Sequence, residues 1–115
     1  MVNDNFGHQT GDSVLSQVAG ILRRSVRKCD SACRYGGEEF MIILQTDISQ
    51  AAERADAIRT AVEESVFSCG KVTISLGVAE YRIGEEPETL AKRADDCLYY
   101  AKEHGRNMVC TENMI

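Results

Sequence analysis

The stretch ACRYGGEEFMIIL, residues 32–44, decides the fold. It predicts two strands, at residues 32–35 and 38–44, joined by Gly36-Gly37, because glycine accepts the positive φ angles that a tight hairpin needs. The second strand ends in the run FMIIL, which is apolar on both faces and typical of an interior strand. The hairpin is therefore expected to lie inside a larger sheet.

Further elements are predicted on both sides of the hairpin. Helical spacing of apolar residues predicts the helices, and alternation with polar residues predicts a strand after the second helix. Asp12 or Thr10 is available to cap the first helix, and Gly105 suits a left-handed stop for the third. The predicted elements are helices at residues 12–26, 49–66 and 87–105, a strand at 71–80 and a short last strand at 107–110.

The order of the elements is helix, strand, strand, helix, strand, helix, strand, which is an α+β chain. It fits a ferredoxin-like or polymerase-palm-like sheet with helices packed on it, in one domain over residues 1–115. Only eleven residues precede Asp12, so the strand that normally comes before such a helix is expected to be missing from the chain.

The second helix is expected to bury a stripe of apolar residues, namely Ala52, Ala55, Ile58, Val62 and Val66.

Composition and charge exclude several classes of protein. Of 115 residues, 43% are hydrophobic and 27% charged, which is enough apolar matter for a core and too little bias for disorder. The longest apolar run has five residues, so no membrane insertion is expected. A formal charge of -5 opposes binding to a nucleic acid polymer, although a local cationic site or a metal can still hold a nucleotide. Five cysteines without CxxC spacing predict neither a disulfide framework nor a zinc site, and they fit a cytoplasmic protein.

Two carboxylates, Glu38 and Glu39, follow the glycine turn at the start of the predicted interior strand. Adjacent strand residues face opposite sides of a sheet, so one side chain can point into a site while the other faces the loop. Carboxylate oxygens beside a backbone that a ligand can approach closely suit a magnesium ion with a triphosphate. The alternative is a surface hairpin with solvated acids.

The N-terminal segment, residues 2–12, is a polar, glycine-punctuated loop that leads into the first helix. Such a loop can bind phosphate through backbone N–H groups and the helix dipole. Asn3 with Asp12 points to guanine, because an amide can contact O6 and a carboxylate can accept from N1–H and the exocyclic amine. The alternative makes Asp12 a helix cap and Asn3 a turn residue.

Two cations, Lys102 and Arg106, lie four residues apart near the end of the predicted third helix. The helix dipole stabilises cations at this end even without a ligand, so a purely structural role is an alternative to ligand binding.

Together these motifs resemble the GGDEF domain of diguanylate cyclases, with Gly36-Gly37-Glu38-Glu39-Phe40 as a variant of the signature. Order and spacing agree from Val2 to about Val109. The other matching segments are VND at 2–4, FGH at 6–8, GDSVL at 11–15, RY at 34–35, TISLGVA at 73–79, AD at 94–95, LY at 98–99, AK at 101–102 and GRN at 105–107.

The resemblance implies an enzyme that condenses two GTP molecules into cyclic di-GMP and releases two pyrophosphates. It implies a homodimer in which each subunit holds one GTP and each 3′-hydroxyl attacks the α-phosphate of the partner's nucleotide. Glu38 would bind a metal ion, Mg²⁺ or Mn²⁺, and help to deprotonate the hydroxyl, with Glu39 at a second metal position. The remaining implied contacts are the backbone of Gly36 and Gly37 with the nucleotide, Asn3 and Asp12 with guanine, and Lys102 and Arg106 with the terminal phosphates.

The segment Arg27-Lys28-Cys29-Asp30 fits the RxxD inhibitory motif of the same family by its place just before the signature. By resemblance, Arg27 and Asp30 would bind the product cyclic di-GMP, and feedback inhibition is implied. A further arginine on the next helix often completes this site. The aligned position here is Ala57, with Arg54 and Arg59 nearby.

Members of the family have a first strand and an aspartate-rich segment before the N-terminal loop, and the chain starts after that segment. The expectation is a truncated domain that lacks one metal ligand and has weak or no cyclase activity, and whose parent protein carries an upstream sensory domain. The main rival hypothesis is an inactive GTP-binding or cyclic di-GMP receptor module. A third is a nucleotidyltransferase on a related palm-like fold that makes other products.

Overall fold

The structure is a computed structural model that describes residues 8–28, 30–34, 39–67 and 69–115. The chain divides into two compact units. The first comprises Met1–Gln45 and Ala61–Val72, and the second comprises Thr46–Thr60 and Thr73–Ile115. Within the described ranges, no helix has both the length and the apolar character that crossing a bilayer requires.

The described residues contain helices and short strands in the order that the sequence predicts. The hairpin strands, the second and third helices and the last strand lie within a few residues of their predicted bounds. The elements are α1 (His8–Ser25), β1 (Ser31–Arg34), β2 (Phe40–Ile43), α2 (Ile48–Glu64), β3 (Leu76–Val78), α3 (Pro87–Glu103) and β4 (Val109–Thr111), followed by a 3₁₀ turn at Glu112–Met114.

In the first unit, α1 lies against the antiparallel pair of β1 and β2. Ser31 is opposite Ile43 and Arg34 is opposite Phe40, so the predicted hairpin pairing is present. Its turn, residues 35–38, lies outside the described residues. The apolar stripe that the spacing predicts for α1 is buried at Val14, Leu15, Val18, Ile21 and Leu22. Its last predicted member, Val26, follows the end of the helix and is half-buried.

The start of α1 differs from the prediction. The helix begins at His8, so Asp12 lies inside it and neither Asp12 nor Thr10 caps its start. A single glycine such as Gly11 costs only about 1 kcal/mol in a helix interior and does not stop the helix. The side chain of Asp12 is exposed, and it is available for a role other than capping.

The end of α2 also differs from the prediction, and one residue of its expected buried stripe is exposed. Ala55, Ile58 and Val62 are buried, but Val66 is 75% exposed. The helix ends at Glu64, so Val66 no longer follows the helical period. The next residue, Phe67, is buried instead and is only 4% exposed.

In the second unit, α3 packs on β3 and β4, which pair in parallel. Leu76 is opposite Val109 and Val78 is opposite Thr111. The strand predicted at residues 71–80 is thus limited to Leu76–Val78, because only these residues pair with β4 among the described ranges. A small apolar cluster of Cys97, Ala101 and Cys110 joins α3 to β4, with half-buried Tyr100 and Met108 packed against it.

Gly77 lets the backbone of α3 approach β3 closely. A Cβ atom built on Gly77 would lie 2.1 Å from the carbonyl oxygen of Ala94 and 2.4 Å from the backbone nitrogen of Leu98. Only a residue without a side chain fits there. The close contact sets where α3 lies on the strand pair, and α3 carries Lys102 in its last turn.

Candidate active site

The predicted site residues lie in both units, Asp12 and Glu39 in the first and Lys102 and Arg106 in the second. Asn3, Gly36, Gly37 and Glu38 lie outside the described residues, so their predicted roles stay predictions.

A cleft of about 270 Å³ opens in the first unit between α1 and the strands β1 and β2. Asp12 lines this cleft, with Leu15 one turn further along α1 and Phe40 at the start of β2. The carboxylate therefore borders a cleft that combines polar groups with some apolar side chains, a combination that can bind a flat base with polar edges. The other lining residues are Ser16, Ala19, Leu22, Arg23 and Ala32.

Sequence analysis placed Leu15 in the apolar spacing of the first helix and Phe40 in the interior strand, both within segments that match the family, but assigned neither a contact with a ligand. The position of Leu15 three residues after Asp12 is the signal that was available, because such residues share a helix face. For Phe40, the signal was its place directly after the acidic pair at the start of β2.

The acidic pair leads directly into β2. Glu39 is half-buried and precedes Phe40, the first residue of the strand. Carboxylate oxygens are hard ligands of the kind that Mg²⁺ and Mn²⁺ prefer, so the donor chemistry of Glu38 and Glu39 fits a divalent cation. Among residues 8–28, 30–34, 39–67 and 69–115, no three His, Cys, Asp or Glu residues gather into a potential metal site.

Arg27 and Asp30 of the RxxD motif form a closed arrangement after α1. Asp30 Oδ2 accepts hydrogen bonds from the backbone nitrogen of Arg27 at 3.0 Å and from its Nε at 3.2 Å. Asp30 Oδ1 accepts from the backbone nitrogen of Gln45 at 2.9 Å. Arg27 Nη2 in turn donates to the carbonyl oxygen of Gln45 at 2.9 Å. The two residues therefore tie the segment after α1 to the end of β2.

The two motif residues differ sharply in exposure. The Asp30 side chain is 1% exposed, whereas the Arg27 side chain is 49% exposed. The hydrogen bond from Gln45 N–H and the one from the Arg27 side chain hold the pKa of Asp30 well below its usual value. Asp30 is thus an internal anchor, and Arg27 is a half-exposed side chain that this anchor holds in place.

In the second unit, Lys102 and Arg106 lie on either side of the end of α3. Lys102 is half-buried in the last turn, and Arg106 is exposed just beyond the helix. Gly105 adopts a φ of 118°, and the backbone nitrogen of Arg106 donates to the carbonyl oxygen of Ala101 at 2.9 Å. This is the glycine-terminated cap in which the chain turns back over the helix end. The sequence prediction of Gly105 as a left-handed stop is confirmed.

The turn after α3 holds two residues other than glycine in the left-handed region. Arg106 has a φ of 62° and Asn107 a φ of 49°. Asparagine tolerates this conformation, whereas arginine adopts it rarely because its Cβ atom comes too close to a backbone carbonyl oxygen. The surrounding structure must therefore hold Arg106 in place.

Sequence comparison identifies the family. A profile described as "Diguanylate cyclase, GGDEF domain" matches residues 1–108. The chain belongs to the GGDEF family. Diguanylate cyclase A of Treponema denticola is 46% identical over 114 residues, which cover 94% of this chain and 31% of that protein. The response regulator PleD of Caulobacter vibrioides is 46% identical over 116 residues, which cover 94% of this chain and 26% of that protein.

Solved structures of GGDEF domains share the fold. The GGDEF domain of DgcB from Caulobacter crescentus, in complex with c-di-GMP, matches with a TM-score of 0.91 at 37% identity, covering 96% of this chain and 70% of that one. The active GGEEF domain of a diguanylate cyclase from Vibrio cholerae matches with a TM-score of 0.85 at 31% identity, covering 96% and 74%. The predicted family and α+β fold class are confirmed.

The GGDEF match covers most of this chain but only part of its relatives. The chain spans about a quarter to a third of the length of Diguanylate cyclase A and PleD. Diguanylate cyclases of the GGDEF family are generally metal-dependent, in agreement with the acidic pair at residues 38–39.

Proposed function

We propose that the chain is the catalytic domain of a diguanylate cyclase, which condenses two GTP molecules into cyclic di-GMP and two pyrophosphates. The family profile matches 1–108 of the 115 residues, and the GGDEF domain of DgcB is described in complex with c-di-GMP. The observation that carries the proposal is the cleft bordered by Asp12. Its volume of about 270 Å³ lies just below the range of pockets that enclose a whole drug-sized ligand, so it suits one base with the phosphates outside.

Asp12 reads the guanine base in this proposal. An ionised carboxylate only accepts hydrogen bonds, and guanine offers it two donors on one edge, N1–H and the exocyclic amine. Adenine offers no such pair of donors on the same edge. Leu15 and Phe40 supply apolar surface in the same cleft, and Asn3 would complete the base contacts.

Lys102 and Arg106 neutralise the terminal phosphates. Both cations lie at the C-terminal end of α3, where the helix dipole is negative and holds positive side chains. The planar guanidinium of Arg106 can form paired hydrogen bonds to phosphate oxygens, and the ammonium of Lys102 acts as a point charge. Together they balance the charge that builds up on the departing pyrophosphate.

The chemistry needs two copies of the chain, each with one GTP. The 3′-oxygen of one nucleotide forms a bond to the α-phosphorus of the other, the bond from that phosphorus to the bridging oxygen breaks, and pyrophosphate leaves. Glu38 accepts the proton of the attacking hydroxyl. Repetition on the second nucleotide closes the ring. A divalent cation held by Glu38 and Glu39 supplies charge neutralisation at the phosphates when bound, and Mg²⁺ or Mn²⁺ fits these oxygen donors.

Product inhibition through Arg27 is part of the proposal. The Arg27 side chain is half exposed, and its guanidinium is held by Asp30 and by the carbonyl oxygen of Gln45, so it is preorganised for a planar acceptor such as a guanine edge or a phosphate. Asp30 contributes chiefly by fixing Arg27, because both of its oxygens already accept hydrogen bonds from the chain.

The cell context follows from the same chemistry. A cytoplasmic location provides GTP and keeps the thiols reduced. In a longer protein, an upstream sensory domain would control how two copies of the catalytic domain meet.

Product analysis tests the proposal. The 115-residue chain, and any longer form that its gene encodes, is incubated with GTP and Mg²⁺ or Mn²⁺, and the products are separated and identified by mass spectrometry. Cyclic di-GMP with two equivalents of pyrophosphate is expected from at least one of these wild-type forms. It is not expected from Glu38→Gln. Glu64→Gln, an exposed acid at the end of α2, is the matched control and should keep full activity.

Three results would contradict the proposal. Binding of GTP or cyclic di-GMP by every folded form without any turnover would identify a receptor module instead. A different nucleotide product would identify another nucleotidyltransferase. Normal turnover by Glu38→Gln would remove the assigned role of that carboxylate.

A further inference from the structure

The turn that follows α3 is held from several directions. The backbone nitrogen of Asn107 donates to Ser75 Oγ, just before β3, at 3.1 Å. The side-chain oxygen of Asn107 accepts a hydrogen bond from Arg59 Nη1 at 3.1 Å. Arg106, the residue between Gly105 and Asn107, has its own backbone nitrogen bonded to Ala101. All of these residues belong to the second unit.

Arg59 reaches this turn from α2, 48 residues earlier in the sequence. Its side chain is 19% exposed, and its Nε also donates to Asp56 Oδ1 at 2.8 Å. Its Nη2 donates to Thr60 Oγ1 at 3.3 Å. The guanidinium is thus oriented by its own helix and directs one N–H group at the turn. Lysine cannot replace this fixed, planar donor, because its ammonium is a single charged nitrogen on a flexible stem and lacks the fixed N–H directions of a guanidinium.

We propose that Arg59 is a positioning residue for the phosphate-binding cations. By holding Asn107 it keeps Arg106 in the left-handed conformation in which its side chain meets the terminal phosphates of GTP. The inference rests on the proposed function, because it takes Arg106 as a phosphate contact. It goes beyond that function by assigning a role to a residue of α2 that does not itself touch the nucleotide.

The support for this role is the φ of 62° at Arg106, which an arginine does not adopt by preference. Such a conformation persists only when the surroundings determine it, and functional sites are where such residues concentrate. The hydrogen bonds that the backbone of the turn donates to Ala101 and Ser75 fix it on either side, and Arg59 holds the side chain of Asn107. Loss of this contact leaves the turn free to relax toward ordinary negative φ values.

The first test needs no nucleotide. Amide hydrogen exchange of the segment 104–108 is measured for the wild type, Arg59→Lys and Asn107→Gly. The glycine variant keeps access to positive φ but removes the acceptor of the hydrogen bond. Both variants should exchange several-fold faster than the wild type in this segment, and the double variant should be no faster than the single ones. Asp56→Asn is the matched control, because it removes the charge of the ion pair within α2 but keeps an oxygen that can accept the hydrogen bond from Arg59 Nε.

The second test separates phosphate binding from base binding. Affinities for a non-reacting GTP analogue and for GMP, which lacks the terminal phosphates, are measured by calorimetry or NMR titration. Arg59→Lys and Asn107→Gly should lower the affinity for the GTP analogue about 5-fold to 20-fold and leave the affinity for GMP unchanged. A loss of this size is expected when one charged contact becomes poorly placed. Asp56→Asn should leave both affinities unchanged.

The outcomes distinguish the two proposals. If the wild type binds the analogue and Arg59→Lys binds it equally well, the positioning role is wrong and the proposed function stands. An equal loss of affinity for GMP and for the GTP analogue would show a general structural defect and would also overturn the positioning role of Arg59. If the folded wild type binds no triphosphate, the proposed function falls and the role of Arg59 falls with it, whatever the exchange data give.

Discussion

Replacement of Gly77 by alanine is the sharpest test of how α3 is placed. The added Cβ would lie 2.1 Å from the carbonyl oxygen of Ala94, whereas ordinary contacts of a Cβ atom begin at 3.4 Å. The strand and the helix must therefore separate by about 1.3 Å, because the obstructing atoms belong to the helix backbone and cannot rotate away. Overpacking of a core costs about 1–3 kcal/mol, and a clash with backbone belongs at or above the upper end of that range.

The expected result for Gly77→Ala is a loss of about 3 kcal/mol of unfolding free energy. For a chain of this size, that corresponds to a decrease in Tm of about 12 °C. Thermal unfolding followed by circular dichroism measures it. Gly20→Ala is the matched control, because the Cβ there meets only the far end of the Arg24 side chain at 3.2 Å inside α1. That variant should be stabilised by about 0.5–1 kcal/mol, since alanine is the better helix former.

A second readout connects this packing to function. Displacement of α3 moves Lys102 in its last turn, so GTP binding by the folded Gly77→Ala variant should weaken along with its stability. A Tm within about 2 °C of the wild type, or a Gly20→Ala variant that loses as much stability as Gly77→Ala, would refute the reasoning from close approach.

Three further predictions concern the site itself. Asp12→Asn should weaken GTP binding about 10-fold to 100-fold. The variant should bind xanthosine triphosphate better than the wild type does, because its amide can donate to the carbonyl that replaces the exocyclic amine of guanine. Competition binding measures both affinities. Glu38→Gln should abolish cyclic di-GMP formation and leave product binding through Arg27 intact, which calorimetry with cyclic di-GMP checks. The pKa of Asp30 is lower in the folded chain than its unfolded value of 3.8, so the unfolded chain binds the proton first and stability falls as the pH drops below about 4. Urea unfolding between about pH 5 and 2.5 should show a flatter dependence for Asp30→Asn, and an unchanged slope would contradict the tie from Asp30 to Gln45.

The local elements could be predicted from the sequence because each depends on neighbours in the chain. The stripe of α1 and the start of α3 at Pro87 follow from spacing and from the fixed φ of proline. Gly105 ends α3 because it reaches positive φ without strain. These features need no knowledge of the tertiary structure, and the structure has them where the sequence predicts them.

The errors occurred where a side chain's role depends on the residue at which its helix begins or ends. Aspartate often caps the start of a helix, but Asp12 could do so only if the helix began there, and α1 begins at His8. Val66 continues the apolar period of α2, but the helix ends first and Phe67 is the buried residue. Residue type and spacing indicate what a side chain can do, and the bounds of the element decide whether it does so.

Long-range contacts between polar groups are the part that spacing could not predict. Arg93 on α3 is 15% exposed because it pairs with Glu85 and with Glu112 of the 3₁₀ turn, and its Nη2 also donates to the carbonyl oxygen of Glu80 at 2.9 Å. The hydrogen bond from Arg59 to Asn107 spans 48 residues in the same way. Neither arginine belongs to a short motif, and only the fold brings its partners within reach.

The RxxD segment shows why a motif does not by itself assign a role to each of its residues. By resemblance, both Arg27 and Asp30 would contact the product. In the structure the Asp30 carboxylate is 1% exposed, and both of its oxygens accept hydrogen bonds from the chain. A buried carboxylate that lost these donors would carry an unsatisfied charge, so its use as a ligand contact would oppose its use as an anchor. Arg27 carries no such conflict, because half of its side chain is exposed and the anchor holds it in place. The proposed product inhibition therefore requires Arg27 for contact with cyclic di-GMP and Asp30 for the position of Arg27.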